Sequence, residues 1–375
     1  KKQNNMRFDL HLLFILLLIF IIPSCRNNTP EKSPTETTEV EEIEAINLII
    51  AIDQSKLLSK AGLKGQELAR LPLGEHLIYL NELSTFTTAI TLNGIPFNEP
   101  WLKVQTEDNQ IGWLYAGAVK FDATGKGKTL YNDIVRKRLA NFFGQNAGQL
   151  IESYNQKYNE TETAYEFAQL YELGQKLRDT LIVQLNQIDI SQTPEVPDLF
   201  WIDEPLPALV STQIVDANMF HLFFDYKELY QKALNTVGDE DEAFVSLFYT
   251  MYSLDSIEYF YPSWYLKMND SPQTYSLLGE NIHLDMLAQM DSLAIQTDLF
   301  QSPLIQIKIE ILQDILTNNT YWRNAEDIIK EMNQILKADF ELLSKADKIA
   351  LQERIKMFEA PEKYEILVDG RNIID

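Results

Sequence analysis

One cysteine, four histidines and 55 carboxylates are the reactive inventory of this chain of 375 residues. Cys25 is the single cysteine, so an intrachain disulfide and a cysteine-based zinc site are both excluded. His76, His221 and His283 stand far apart without metal-ligand spacing, and each reads as an ordinary structural or surface histidine. Neither a Gly-x-Ser-x-Gly elbow nor a His-Glu-x-x-His pair occurs. Gly127-Lys128-Thr129 has the ending of a phosphate-binding loop, but the position five before Gly127, where that loop needs glycine, is Asp122. An acid there repels phosphate, so no nucleotide site is expected, and no residue pattern calls for a metal or another cofactor. The chemistry left open is carboxylate chemistry, a general acid and a base on either side of a glycosidic bond, with too many candidates for the sequence to select a pair. Aromatic residues offer binding rather than catalysis. Tyr79, Trp101, Trp113 and Tyr115 fall in one segment; Tyr259, Phe260, Tyr261, Trp264 and Tyr265 surround Pro262 in another. The second group reads as packing at a helix end, with stacking on sugar rings as its functional alternative.

The position of Cys25 carries more information than its chemistry. It ends an apolar run, Leu12 to Ile22, of eleven residues, whereas a membrane-crossing helix needs about 20. Arg7 before the run and Ser24 after it give the layout of a secretory signal peptide. Ile22-Pro23-Ser24-Cys25 resembles the lipobox of bacterial lipoproteins, with Pro23 a departure from the usual small residue. That resemblance implies a leader over residues 1–25 and lipid attachment at Cys25; the KKQNN ahead of Met6 points to Met6 as the real start. More than one acyl chain, at about 0.8 kcal/mol per buried methylene, makes a stable anchor. The segment 26–45 is rich in Thr, Glu, Pro, Ser and Asn and reads as a flexible tether. No acid directly follows Cys25, so by resemblance to lipoprotein sorting rules the expected location is the outer membrane, facing the periplasm.

Without the leader, 29 basic and 54 acidic residues remain, a net charge of −25. Nucleic acid needs a basic footprint and is excluded as a partner. The length beyond the tether allows two domains.

The elements that must position the first aromatic group are strands. An apolar strand opens the region at Ile46, and two short strands with glycine turns fill Lys56–Leu80. Trp101–Gln105 and Ile111–Tyr115 flank a turn at Glu107-Asp108-Asn109. Leu68-Ala69-Arg70-Leu71-Pro72-Leu73-Gly74, Trp101-Leu102-Lys103-Val104 and Gly112-Trp113-Leu114-Tyr115 resemble the bacterial SH3-like domain. This resemblance implies a small closed β-barrel over residues 46–121, with Tyr79, Trp101, Trp113 and Tyr115 available to line a ligand groove. A glycine-tryptophan pair in a strand is expected to place Trp113 in the core, and Trp101 is expected to be partly exposed. The departures are Ser59-Lys60 and a polar insertion around Ser84–Thr91, both where such domains meet ligands.

Residues 122–129 read as a linker, and 130–375 as a larger all-helical domain of about eight helices. Its apolar residues recur every three or four positions: Leu130, Ile134, Val135, Leu139 and Phe142; Phe220, Phe223, Tyr230 and Leu234; Ile305, Ile309, Leu312 and Leu316; Ile328, Ile329, Met332 and Leu336. Asp239–Glu242 charges a helix start, and Ser302-Pro303 and Ser271-Pro272 read as further starts. The proline-rich stretch Thr193–Leu209 reads as a loop between helices rather than a segment docked on the barrel. The expected function is non-enzymatic binding or scaffolding in the cell envelope through the SH3-like domain, with the membrane and either cell-wall peptide or another envelope protein as partners. The alternative is a carboxylate-dependent hydrolase acting on wall glycan.

Overall fold

A computed structural model describes residues 46–92, 94–121, 127–187, 202, 205–214, 219–252, 257–267 and 273–370. Cys25, the leader, the tether and residues 122–126 of the expected linker lie outside them.

Alternation of apolar and polar residues builds the first region. Its strands are β1 (Ile46–Ile50), β2 (Ser55–Leu58), β3 (Glu67–Leu71), β4 (His76–Leu83), β5 (Thr88–Leu92), β6 (Ile95–Glu99), β7 (Trp101–Thr106), β8 (Ile111–Tyr115) and β9 (Val119–Phe121). Seven pair antiparallel in the order β3-β2-β8-β7-β4-β1-β9, and β5 pairs with β6 as a separate hairpin. Leu48, Leu57, Leu77, Leu102, Val104 and Leu114 are buried on the inner face of the sheet. Among the described residues the edge strands β3 and β9 do not pair, so the sheet is open where a closed barrel was expected. The β3 edge is guarded by charge: Glu67 pairs with Arg70 at 2.8 Å and with Lys56 at 3.5 Å, which discourages another strand from adding there.

Helices dominate the rest. They are α1 (Gly127–Phe143), α2 (Gln145–Glu160), α3 (Ala164–Leu185), α4 (Tyr226–Ala233), α5 (Glu240–Met251), α6 (Ile282–Gln296), α7 (Gln301–Thr317), α8 (Ala325–Ala338) and α9 (Lys345–Phe358). Thr163 and Glu166 form a capping box at the start of α3, and Asp225 caps α4 through the N–H groups of Lys227 and Glu228. Helix α1 begins at Gly127, inside the expected linker. Buried Leu130, Ile134, Val135 and Leu139 confirm its predicted face, as Ile328 and Met332 do for α8.

Two expectations are corrected. The region is not all-helical, because β10 (Leu209–Ile214) pairs with β11 (Met219–Phe224), and β12 (Tyr265–Lys267) with β13 (Thr274–Ser276). Phe220 and Phe223 therefore lie on a strand, and their spacing of three combined by coincidence with that of Tyr230 on α4. On α7 the buried aliphatic side chains are Leu304, Ile307, Ile311, Leu312 and Ile315, while Ile305 and Ile309 are exposed. That helix is apolar around most of its circumference, so periodicity alone misplaces its inner face.

The described residues belong to one compact unit, Glu44–Asp375. A buried ion pair joins its two regions: Arg138 on α1 donates from Nε to Glu99 of β6 at 3.0 Å and from a terminal nitrogen to the Ala116 carbonyl at 3.2 Å. The same guanidinium lies 5.3 Å from the Phe97 ring centre and 5.9 Å from that of Phe121.

Candidate functional site

The four aromatic residues expected to line a groove on the β region divide differently. Tyr79 faces inward, paired with Val104 on the neighbouring strand, and is buried. Trp101 and Tyr115 are also buried, at 3% and 4% exposure, under the β5–β6 hairpin. Trp101 donates from Nε1 to the Thr88 hydroxyl at 2.8 Å. The Tyr115 hydroxyl donates to the Thr88 carbonyl at 2.6 Å and accepts from the Glu99 N–H at 3.1 Å. The two rings meet edge to face, 5.4 Å between centres. Loss of water around the phenol raises the Tyr115 pKa to about 12. The β5–β6 hairpin thus covers Trp101 and Tyr115.

Trp113 reverses the other expectation. It is only partly buried, paired across the strands with Lys103, whose ammonium stands 5.9 Å from the indole centre. The cause is its neighbour. Gly112 takes the inward position, where an added Cβ would come within 2.6 Å of the Leu57 side chain, so the strand's alternation turns Trp113 away from the core.

The histidines are consistent with structural roles. His76 is exposed on β4, His221 is half-buried on β11, and His283 is fully buried on α6. His283 Nε2 lies 2.8 Å from Asp314 Oδ2, to which Ser276 also donates at 2.6 Å. The carboxylate stands between the hydroxyl and the imidazole, so this serine has no base aimed at it. Glu331 beside them accepts the N–H groups of Gly279, Asn281 and Leu284, and so caps the start of α6. All four side chains are buried, which fits a polar hub that fixes helix positions. Among the described residues no group of three or more His, Cys, Asp or Glu is placed to hold a metal ion.

Open space with convergent chemistry lies instead between α3, α5, α7 and the segment Ile257–Tyr265. Two cavities, of about 460 and about 900 Å³, share Met251, Tyr252 and Glu258 in their walls. Glu258 is fixed at the shared wall: both its oxygens lie within 2.9 Å of one Arg178 nitrogen, and Oε2 also accepts the Phe224 N–H at 3.1 Å. Arg178 reaches it from α3 across the face of Phe224, 5.1 Å away. The larger cavity is floored by aromatic rings. Tyr226 stacks on Phe248 at 4.0 Å and on Tyr252 at 5.8 Å, and its hydroxyl lies 3.3 Å from that of Tyr171.

Glu310 enters the larger cavity from α7, accepting from Gln306 at 3.1 Å. Burial raises its pKa above the ordinary 4.5, the Gln306 bond opposes that rise, and the charge of Glu258 adds to it. The smaller cavity takes Tyr259, Tyr261 and Tyr265 from the aromatic cluster, together with Phe223 and Thr212 from the β10–β11 hairpin. Packing and cavity lining thus divide the cluster: Trp264 is buried, whereas Tyr259 and Tyr261 are 46% and 38% exposed.

Sequence reasoning singled out the cluster but missed Arg178, Glu258, Glu310 and Tyr252. Arg178 and Glu258 are 80 positions apart, and no local pattern marks either. The proline-rich stretch lies mostly outside the described residues; at its described end the Pro207 carbonyl accepts from Tyr154 of α2 at 2.8 Å. No helix among the described residues is long and apolar enough to cross a membrane. Compared with known proteins, the chain matches no family model, no curated protein and no solved structure.

Proposed function

We propose that this chain is a lipid-anchored protein of the bacterial cell envelope, tethered through Cys25, that binds an envelope component without chemical turnover. The lipobox-like ending of the leader supports the anchor. The sequence motifs and the antiparallel sheet support an SH3-like relationship for residues 46–121, in an open form whose usual ligand face is covered by the β5–β6 hairpin. One observation carries the location of binding: the aromatic side chains on the β region are mostly buried, whereas exposed aromatic faces and a fixed Arg178–Glu258 pair converge on the helical cleft. The ligand site is therefore assigned to the cleft, and the β region acts as a supporting module joined to it through α1.

Photo-crosslinking in cells tests this assignment. A benzophenone amino acid replacing Tyr261 should give a discrete adduct with an envelope component, and one replacing Trp113 should give none. Adducts from position 113 alone would return the site to the β region.

A hydrolytic reading is favoured by one specific feature, the presence on one cleft of Glu258, held as an acceptor by Arg178, and of Glu310, whose pKa is raised by burial. Two carboxyl groups on one cleft, one held by an arginine and the other with its pKa raised by burial, are the parts a glycoside hydrolase uses. Release of new reducing ends from wall glycan by the wild type, abolished in Glu310→Gln, would establish that reading over simple binding.

A further inference from the structure

We infer that the cleft takes a neutral oligosaccharide, with one sugar ring in the aromatic cavity and the chain continuing past Glu258 into the larger one; this rests on the cleft being the binding site.

Charge excludes the other classes first. The exposed rim of the larger cavity carries Glu172, Asp179 and Asp298, which repel a phosphate, a carboxylate or an acidic peptide. The same rim attracts a cation, but one gains little further inside. The Glu258 charge is matched by Arg178, burial favours the neutral form of Glu310, and Tyr261 already carries Lys267, whose ammonium lies 5.3 Å from the ring centre. A neutral ligand remains.

The lining then specifies what kind of neutral ligand. The smaller cavity, at about 460 Å³, falls in the size range that encloses a small organic group. It combines tyrosine faces with hydroxyls, and the Ser263 hydroxyl in its wall is buried without a hydrogen-bond partner among the described residues. Such a group takes its hydrogen bond from water or from a ligand that reaches it. A pyranose meets both demands, because its axial C–H groups form an apolar face for a tyrosine ring while its rim carries hydroxyls that donate and accept. Beyond Glu258, the planar ends of Gln306 and Glu310 can each engage adjacent sugar hydroxyls through two atoms.

Titration of the full chain, purified in mild detergent, with neutral tetrasaccharides tests the inference. The panel is β-1,4-linked N-acetylglucosamine, β-1,4-linked glucose and α-1,4-linked glucose, followed by calorimetry. At least one should bind saturably, with affinity reduced tenfold or more by Tyr261→Ala and several-fold by Ser263→Ala, while melting of both variants stays near wild type. Failure of all three sugars to bind at millimolar concentration, or binding indifferent to Tyr261→Ala and Tyr259→Ala, overturns it. If no sugar binds while position 261 still crosslinks to an envelope component, the glycan assignment falls and the cleft remains the site. If both fail, the cleft assignment falls as well.

Discussion

Arg138→Ala is the perturbation whose cost follows most directly from the structure. Its side chain and that of Glu99 are 4% and 5% exposed, so removing the guanidinium leaves a carboxylate sealed from water beside the Phe97 and Phe121 rings. Breaking one partner of a buried pair costs about 3–5 kcal/mol, far more than the pair's net contribution. At about 2 °C per kcal/mol, the low end appropriate to a large cooperative unit, the melting temperature should fall by about 6–10 °C. Replacing both partners by apolar residues, Arg138→Met with Glu99→Leu, should recover most of that loss because no charge is then stranded. Urea titration followed by tryptophan fluorescence and by far-ultraviolet dichroism supplies the assay. The two signals should shift together, since the pair joins the strand bearing Glu99 to the first helix. A single variant costing under about 1 kcal/mol, or single effects that simply add in the double variant, would refute the buried-pair reasoning.

Trp101→Ala should destabilise the protein by about 3–5 kcal/mol, and Trp113→Ala far less, because the first is sealed under the β5–β6 hairpin and the second is partly exposed; chemical denaturation showing the opposite order would disprove that covering. Because the folded state holds the Glu310 proton above the ordinary 4.5, that group favours folding below 4.5 and loses the advantage as pH rises through its raised value. Wild type should accordingly lose stability relative to Glu310→Gln just above pH 4.5, and a stability difference that does not vary with pH would contradict the assignment. Radiolabelled fatty acid should mark the wild type but not Cys25→Ala, and a labelled variant would refute the anchor.

Legibility in the sequence tracked how local each cause was. The β7–β8 hairpin was readable because alternation and the turn at Glu107–Asn109 sit within fifteen residues, Trp101 to Tyr115. Helix α1 was readable from its apolar spacing, and α5 from its acidic first turn. The orientation of Trp113 was not, since it depends on Gly112 approaching Leu57 on a strand far earlier in the chain. The β5–β6 hairpin carried a local signal, Thr88–Leu92 and Ile95–Glu99 around Asn93-Gly94, that reading its start as a polar insertion overlooked, and its effect, covering Trp101 through Thr88, is tertiary. The aromatic cluster around Pro262 was visible, but its cavity needs Phe223 and Tyr252 from other elements. The Arg178–Glu258 pair bridges a helix and a distant loop, and only the fold brings the two together.

The central claim, that binding occurs in the helical cleft and not on the β region, is tested most directly by amide hydrogen exchange of the full chain with and without a detergent extract of cell envelopes. Protection should appear at Phe248–Tyr252, Ile257–Tyr265 and Gln301–Glu310, the stretches that wall the cleft. Protection confined to the hairpin from Trp101 to Tyr115, with the cleft unchanged, would contradict the account.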